Sequence, residues 1–325
     1  MTIMKLLEYK SKSISSTILG FTSIIFTTLF STSLSLSLSS SPLSSFASTH
    51  LSTLPYTHQT DGLSSSKFCA KPSYLPTPTS LTALASFPGS GNTWIRYLIQ
   101  QSSGYLTGSV YHDAALSIRG FPGEGISNGS MIVVKTHEHG TSGRQPFSKA
   151  IFLLRNPFKV LLSEFNRRSG GHLGHAPVSK LNDTGWRNYV LKNVDHWSSF
   201  TLDWLNFKGP LLITRYEDFL NNLQSELNRV LNFLGVNSTQ ERLDCVDKHR
   251  NGWKRRPQHF LPFDPFAMAS TPVSANMTES TQAVRSSSVV PSLRQVVERK
   301  RKLVYQAVNK YLHQSGQSSS ISELP

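Results

Sequence analysis

Leu81-Thr-Ala-Leu-Ala-Ser-Phe-Pro-Gly-Ser-Gly-Asn-Thr-Trp94 is the stretch that decides the fold. The apolar run at its start, through Phe87, predicts a buried strand, and Pro88 to Asn92 has the composition of a turn. The apolar spacing from Thr93 to Gln101 then predicts a helix. A strand, a glycine-containing turn and a helix can bind an anion, because glycine lets backbone N–H groups approach it and the helix N-terminus favours negative charge. A turn without a ligand is the ordinary alternative.

The same loop disfavours ordinary phosphoryl transfer from ATP. A nucleoside triphosphatase would have Gly-Lys followed by Ser or Thr at the end of the loop. In this sequence Asn92 follows Gly91.

A second strand is predicted at Met131-Ile-Val-Val134, and it is followed by Lys135 and His137. Open α/β sheets bind their ligands at the carboxyl ends of the strands. A histidine there can serve as a base near neutral pH, and a lysine two residues earlier lies on the same face of an extended chain. Two exposed polar residues at a strand end are the alternative.

A third strand, Ala150 to Leu154, is predicted to end at Arg155, and Pro157 suits the first position of the next helix. Arg155 would emerge beside the N-terminus of that helix, and Ser163 could point back toward the same cleft. An arginine can grip a phosphate with a fork of donors, and a hydroxyl adds one more. A structural arginine that closes a helix end is the alternative.

The chain is strongly basic, with 33 Lys and Arg against 19 Asp and Glu, a formal net charge of +14 and a pI near 9.9. This favours an anionic ligand, an acidic glycan, nucleic acid or a membrane surface, and charge alone does not choose among them. Nucleic acid is not expected, because the sequence has no zinc-finger, helix-turn-helix or RNA-binding signature.

Cys69 and Cys245 could form one bridge in an oxidising compartment or remain two free buried thiols.

The N-terminal region differs in composition from the rest. Residues 14–38 carry no charge and follow Lys5, Lys10 and Lys12, which predicts a membrane anchor with a cytoplasmic N-terminus. A signal peptide cleaved near Ser44 to Ser48 is the second interpretation, and an organelle transit peptide is the third. We expect this leader over 1–40, a disordered Ser/Thr/Pro-rich stem over 41–80, one folded domain over 81–315 and a disordered tail over 316–325. Glycosylation sequons lie at Asn128, Asn182, Asn237 and Asn276.

Together these motifs resemble those of the sulfotransferase family, whose members bind 3′-phosphoadenosine 5′-phosphosulfate (PAPS). Phe87 to Trp94 resembles the family's loop for the 5′-phosphosulfate, and Arg155 to Ser163 resembles its 3′-phosphate motif. Val134 to His137 resembles the segment with the catalytic histidine, and Arg215-Tyr-Glu-Asp218, after a predicted strand Leu211 to Thr214, resembles a later Tyr-Glu-Asp element. The wording of the first motif is most similar to the sulfotransferase domain of WSC-domain-containing, Golgi-type proteins. We expect no WSC module, since it would need several disulfides.

The resemblance implies an α/β fold, a single three-layer domain with a central, mainly parallel sheet and a phosphate-binding strand–loop–helix, as in sulfotransferases and P-loop NTPases. It implies transfer of a sulfuryl group from PAPS to an acceptor hydroxyl, expected on a glycan, without a metal. His137 would be the base, and Lys135 would stabilise the leaving oxygen. The expected donor-binding residues are Gly89, Ser90, Gly91, Asn92, Thr93, Trp94, Arg155, Ser163, Tyr216, Arg250, Gly252 and Lys254.

One departure from the family pattern bears on catalysis. The common cytosolic form of the first motif has a lysine after the proline, where this chain has Gly89. Lys135, or a lysine or arginine from elsewhere, would have to supply the missing charge. The alternative is a catalytically silent protein with the PAPS-binding fold. Arg167, Arg168, His172 and His175, in and beside a glycine-rich loop, could contact an acidic acceptor or simply be exposed.

Overall fold

The computed structural model describes residues 69–251, 260–270 and 290–317, all within one compact unit, Asp61–Pro325. Its centre is a sheet of five strands: β1 Thr82–Ser86, β2 Gly108–Ser109, β3 Val134–Thr136, β4 Lys149–Leu154 and β5 Leu211–Arg215. The spatial order is β2-β3-β1-β4-β5, and every pairing is parallel. The carboxyl ends of all five strands therefore meet at one edge, where the sequence predicts the ligand.

The helices in the described part of the chain vary widely in length. They are α1 Asn92–Ser103, α2 Ala114–Ser117, α3 Gly140–Arg144, α4 Pro157–Gly170, α5 Thr184–Trp204, α6 Tyr216–Asn221, α7 Leu223–Leu234, α8 Gln240–Lys248 and α9 Leu293–Gln314, with a 3₁₀ turn at Val178–Asn182.

Two apolar clusters, one on each face of the sheet, make the fold three-layered. Alternate residues of a strand point to opposite faces, so Ala83 packs with Trp197 of α5 and Val304 of α9, whereas Leu84 packs with Ile95 of α1 and Leu227 of α7. The α/β fold class expected from the sequence is confirmed.

Proline and asparagine explain why α4 begins where β4 ends. Asn156 accepts a hydrogen bond from the Phe158 backbone N–H at 3.0 Å, and Pro157 occupies the first helical position. The side chain of Arg155 is therefore presented between the tip of β4 and the N-terminus of α4, as predicted.

Two segments differ from the sequence-based expectation. The strand predicted at Met131 to Val134 begins only at Val134. The buried residues before it are irregular and form hydrogen bonds with the segment around β2. For example, the Ile132 N–H donates to Leu106 O at 3.0 Å. Lys135 and Thr136 thus belong to β3. Residues 69–80, expected to be disordered stem, pack on the domain: the Leu75 N–H donates to Ser130 O, and Leu75 contacts the apolar cluster.

Cys69 and Cys245 form a disulfide that joins the first described residue to α8. Within the described ranges, no helix has both the length and the apolar character needed to cross a membrane. The predicted leader lies outside these ranges.

Candidate active site

A cleft of about 780 Å³ opens at the carboxyl ends of the strands. It is lined by the loop after β1, by β3 and the residues that follow it, and by α4 and α6. The predicted site residues that line it are Gly89, Gly91, Asn92, Thr93, Trp94, Lys135, His137, Arg155, Ser163 and Tyr216. The fold thus brings four motifs that are distant in sequence to one place.

The loop between β1 and α1 requires its two glycines. Gly89 has φ +86° and Gly91 has φ +93°, in the left-handed region that L side chains rarely adopt. A Cβ at Gly89 would lie 2.7 Å from Val160 O, and one at Gly91 would lie 2.5 Å from the Tyr216 ring. A lysine side chain at Gly89 is therefore incompatible with the approach of α4 to this loop.

The other loop residues have structural contacts of their own. Asn92 donates from Nδ2 to Leu84 O and to Ser86 Oγ, both at 3.0 Å, and so ties the loop to β1. Ser90 is buried and closes a turn through its N–H to Phe87 O at 3.2 Å, and it does not line the cleft.

His137 is fixed by a hydrogen bond to the backbone of β1. Its Nδ1 lies 2.6 Å from Ser86 O. Because a carbonyl oxygen only accepts, Nδ1 must carry the proton, and Nε2 has the lone pair of the neutral ring. Burial and the charge of Lys135 lower the pKa of His137 to about 3, so the imidazole is neutral at physiological pH. This is the protonation state that a general base needs.

Lys135 lies on the same face of the strand as His137, near a buried ion pair between Arg96 and Glu124. Burial and the charge of Arg96 lower the pKa of Lys135 to about 8. The amine therefore remains largely protonated at pH 7 and lies close enough to neutrality to act as a proton donor.

Arg155 and Tyr216 form the opposite wall. The guanidinium lies over the Tyr216 ring, with Cζ 4.0 Å from the centroid, and Nη1 donates to Gly89 O at 2.9 Å. Nε is buried and has no hydrogen-bond partner among the residues that the structure describes. Burial lowers the pKa of Arg155, but an arginine stays charged. Trp94 packs against Tyr216 at 5.1 Å between centroids, at the inner end of the cleft.

Arg250 is not brought into the cleft. Its guanidinium donates to Phe219 O and Leu220 O and pairs with Asp247 at 3.2 Å, whereas its backbone oxygen accepts from Trp94 Nε1 at 2.6 Å. Its backbone thus holds Trp94, and its part in binding the donor stays a prediction. Gly252 and Lys254 lie outside the described residues.

Sequence reasoning missed several residues of the cleft. Tyr111, Asp113 and Glu138 line it near His137, and Lys159 lines it on α4. Tyr111 and Asp113 follow the two-residue strand β2, which has no recognisable periodicity. Lys159 had a usable signal, since it lies one turn before Ser163 on the helix already assigned to phosphate binding.

The glycine-rich loop after α4 also borders the cleft. His172 Nε2 lies 2.9 Å from Asp113 Oδ2, which connects this loop to the N-terminus of α2. Burial acts to raise the pKa of Asp113, but hydrogen bonds from His172 and from the Leu116 N–H hold it below its usual value. Arg167 lines the cleft and also pairs with Glu164 at 2.7 Å, so part of its charge is already compensated.

The cleft has features that favour an anionic ligand. The two loop glycines allow α4 and the Tyr216 ring to approach the loop closely, and Asn92 and Thr93, at the start of α1, line the cleft, where a helix N-terminus favours an anion. The buried, unpaired Nε of Arg155 adds a donor. The fold and the site together give an α/β protein whose cleft, at the carboxyl ends of the strands, is lined by a helix N-terminus and by basic side chains.

Comparison with known proteins shows a similarity to a sulfotransferase domain. Residues 124–257 match the model of the sulfotransferase domain. The "WSCD family member" proteins of Drosophila melanogaster and Aedes aegypti are 44% and 45% identical over 191 and 193 residues, which is 58% of this chain and 60% and 61% of theirs. Residues 124–257 of this chain are therefore similar to a sulfotransferase domain. The matches span about 60% of the length of these insect relatives.

More distant similarities extend to enzymes with known structures. The 3-beta-hydroxysteroid sulfotransferase of Cavia porcellus is 27% identical over 106 residues, 31% of this chain and 36% of that enzyme. A mouse sulfotransferase complexed with PAP is 16% identical, with a TM-score of 0.39 over 56% of this chain and 70% of that one. Retinol dehydratase in complex with androsterone and PAP is 14% identical, with a TM-score of 0.37 over 77% and 84%.

Proposed function

We propose that this protein transfers a sulfuryl group from PAPS to a hydroxyl group of a glycan. The observation that carries the proposal is the environment of His137, an imidazole whose tautomer is set by Ser86 O, beside Lys135 and facing the glycine loop. A base, a cation and an anion-binding loop in one cleft are the parts that such a transfer requires.

The donor would be held by residues already in place. The loop from Gly89 to Thr93 would bind the 5′-phosphosulfate through backbone N–H groups, and Arg155 with Ser163 would bind the 3′-phosphate. Trp94 would lie beside the adenine. When bound, PAPS supplies the activated sulfuryl group.

His137 and Lys135 would divide the proton and charge movements. His137 Nε2 accepts the proton of the acceptor hydroxyl as that oxygen bonds to sulfur and the bond from sulfur to the bridging oxygen breaks. Lys135 stabilises the negative charge left on the bridging oxygen, the task that the absent loop lysine would otherwise perform. Gly89 has no room for a side chain, so the charge must come from another residue. Lys135 is the basic residue of the cleft that is closest in sequence to His137.

The polar side chains around His137 support a glycan acceptor. Asp113 and Glu138 offer carboxylates, and His172 and Arg167 offer donors, all in the same cleft. A sugar presents several hydroxyl groups that need such partners.

Radiolabelled PAPS offered to the full-length protein with a panel of glycans and small alcohols tests the proposal. We expect label on a glycan, and His137→Ala should lower the rate by roughly 10²- to 10⁴-fold, as expected for the loss of a general base. His313→Ala, at an exposed position of α9, is the matched control and should leave the rate unchanged. Tight binding of 3′-phosphoadenosine 5′-phosphate (PAP) without transfer to any acceptor would favour the silent binding protein.

We also propose that the domain lies in the Golgi lumen, anchored through the N-terminal segment, or is secreted if that segment is cleaved. The Cys69–Cys245 disulfide suits an oxidising compartment, and the sequon residues Asn128, Asn182 and Asn237 are exposed. Removal of N-glycans should increase the electrophoretic mobility of the protein expressed in animal cells. Unchanged mobility, together with digestion of the domain by protease added outside intact vesicles, would contradict this location.

A further inference from the structure

Tyr111 contacts both residues of the candidate catalytic pair. It lies two residues after β2, which pairs with β3 in the register Ser109 to Lys135. The adjacent chain is held to β3 by the Val110 N–H, which donates to Lys135 O at 3.1 Å. This pairing places the Tyr111 side chain beside Lys135 and His137 within the cleft.

The hydroxyl group of Tyr111 is bonded on both sides. It accepts a hydrogen bond from the His137 backbone N–H at 3.0 Å and donates one to Glu138 Oε1 at 2.7 Å. A phenol can donate and accept at once, so both bonds form together. Burial and the hydrogen bond to Glu138 raise the pKa of Tyr111 above its usual value, which keeps the hydroxyl protonated and donating.

The ring of Tyr111 faces both catalytic side chains. The His137 imidazole stacks on it, with 5.6 Å between centroids and 26° between planes. Lys135 Nζ lies 5.6 Å from the same centroid. An aromatic face stabilises a nearby cation. Burial and the charges of Arg96 and Arg167 lower the pKa of Lys135, whereas Glu124 and Asp113 act to raise it. We expect the ring to act in the same direction as these two carboxylates.

His137 is thus held from two directions. Ser86 O fixes the imidazole at Nδ1, and Tyr111 fixes the backbone N–H and covers one face of the ring. Lys135 shares that aromatic surface. A base and a cation that must act on the same substrate need a common frame, because small misplacements cost large factors in rate.

We propose that Tyr111 is a positioning residue, whose hydroxyl orients His137 through its backbone and whose ring holds Lys135 in its charged form beside it. This inference rests on the proposed function. The hydroxyl group and the ring of Tyr111 have different effects that substitutions can separate. The hydroxyl group acts on His137, and the ring acts on His137 and Lys135.

Two substitutions separate the hydroxyl from the ring. Both variants are made in the full-length protein. Tyr111→Phe removes the two hydrogen bonds of the hydroxyl group and keeps the aromatic ring. Tyr111→Leu removes the hydrogen bonds and the aromatic ring. We expect kcat to fall about tenfold in Tyr111→Phe, the effect of one to two hydrogen bonds, and further in Tyr111→Leu. PAP affinity should change less than about threefold, since the residues proposed to hold the donor are untouched. Tyr74→Phe, at an exposed tyrosine, is the matched control.

The titration of Lys135 is a readout that a merely structural role would not move. Its rate of acylation by a water-soluble active ester, followed by mass spectrometry of the Lys135 peptide across pH 6–10, reports the amine directly. Loss of the aromatic face should shift the midpoint about 0.5–1 pH unit lower in Tyr111→Leu, with little shift in Tyr111→Phe. The pH limb of kcat that Lys135 controls should shift in parallel.

The outcomes distinguish this inference from the proposed function. If no acceptor is sulfated by the wild-type protein, the proposed function fails, yet the acylation profile still tests the contact with Lys135. An unchanged profile in Tyr111→Leu, or losses of kcat that merely follow losses of PAP affinity, would overturn the positioning role.

Discussion

Gly89→Ala should destabilise the protein and weaken donor binding, although it adds one methyl group. The left-handed backbone at φ +86° costs an L residue about 1–2 kcal/mol. The new Cβ would also lie 2.7 Å from Val160 O and 2.9 Å from Glu164 Cβ, and overpacking of this kind costs about 1–3 kcal/mol. The free energy of unfolding should therefore fall by about 2–5 kcal/mol.

Gly120→Ala is the matched control, because Gly120 has φ +96° but nothing within 4 Å of its Cβ position. It should lose only the backbone contribution, about 1–2 kcal/mol. Urea unfolding of both variants, followed by tryptophan fluorescence, measures the difference in their free energies of unfolding. Calorimetric titration with PAP should show an affinity at least about tenfold lower for Gly89→Ala and no such loss for Gly120→Ala. Equal destabilisation of the two variants would refute the steric argument. Gly89→Lys, which restores the residue common in the family, should not raise kcat for the same reason.

Three further predictions concern pH, the disulfide and the donor site. The pKa of His137 is about 3, below the ordinary 6.5, so the folded protein binds fewer protons than the unfolded chain between these values and loses stability as the pH falls through that window. Urea unfolding at pH 7 and pH 5 should therefore show a smaller loss, by about 2 kcal/mol, in His137→Gln, and equal losses would contradict the burial of the imidazole. Joint replacement of Cys69 and Cys245 by serine should lower the free energy of unfolding by about 2–5 kcal/mol, an effect that a reducing agent should reproduce in the wild type but not in the variant. Arg155→Lys keeps the charge but loses the planar fork and the stacking on Tyr216, so calorimetry should give a PAP affinity about 10- to 100-fold lower, and unchanged affinity would remove Arg155 from the donor site.

The positions of the motifs at the strand ends could be predicted, because neighbouring residues in the sequence determine where each strand ends and the next helix begins. The run before Pro88 is short, apolar and bounded by a glycine turn, and it forms β1. Pro157 sets the start of α4 after β4, so the position of Arg155 also follows from adjacent residues. Parallel pairing then brings these tips together without further information.

Features that depend on long-range pairing were not predictable. Met131 to Val133 form a buried apolar run, but burial does not require a strand, and their backbone bonds go to the segment around β2. Tyr111 reaches His137 only because the two-residue strand β2 pairs with β3. The contacts of Arg250 were equally unpredictable, since carbonyl groups of α6 accept hydrogen bonds from a guanidinium that the sequence alone would assign to an anion.

The disulfide also determines how the domain responds to mechanical tension. The segment after Cys69 is bonded to the domain one backbone group at a time, through Ser73, Leu75 and Thr79, up to β1. Without the disulfide, tension on the preceding chain would break these hydrogen bonds one after another. The force would then act on β1, the central strand of the sheet. With Cys69 bound to Cys245, the force enters α8 instead, and β1, which precedes the glycine loop, is shielded from any pull on its N-terminal side.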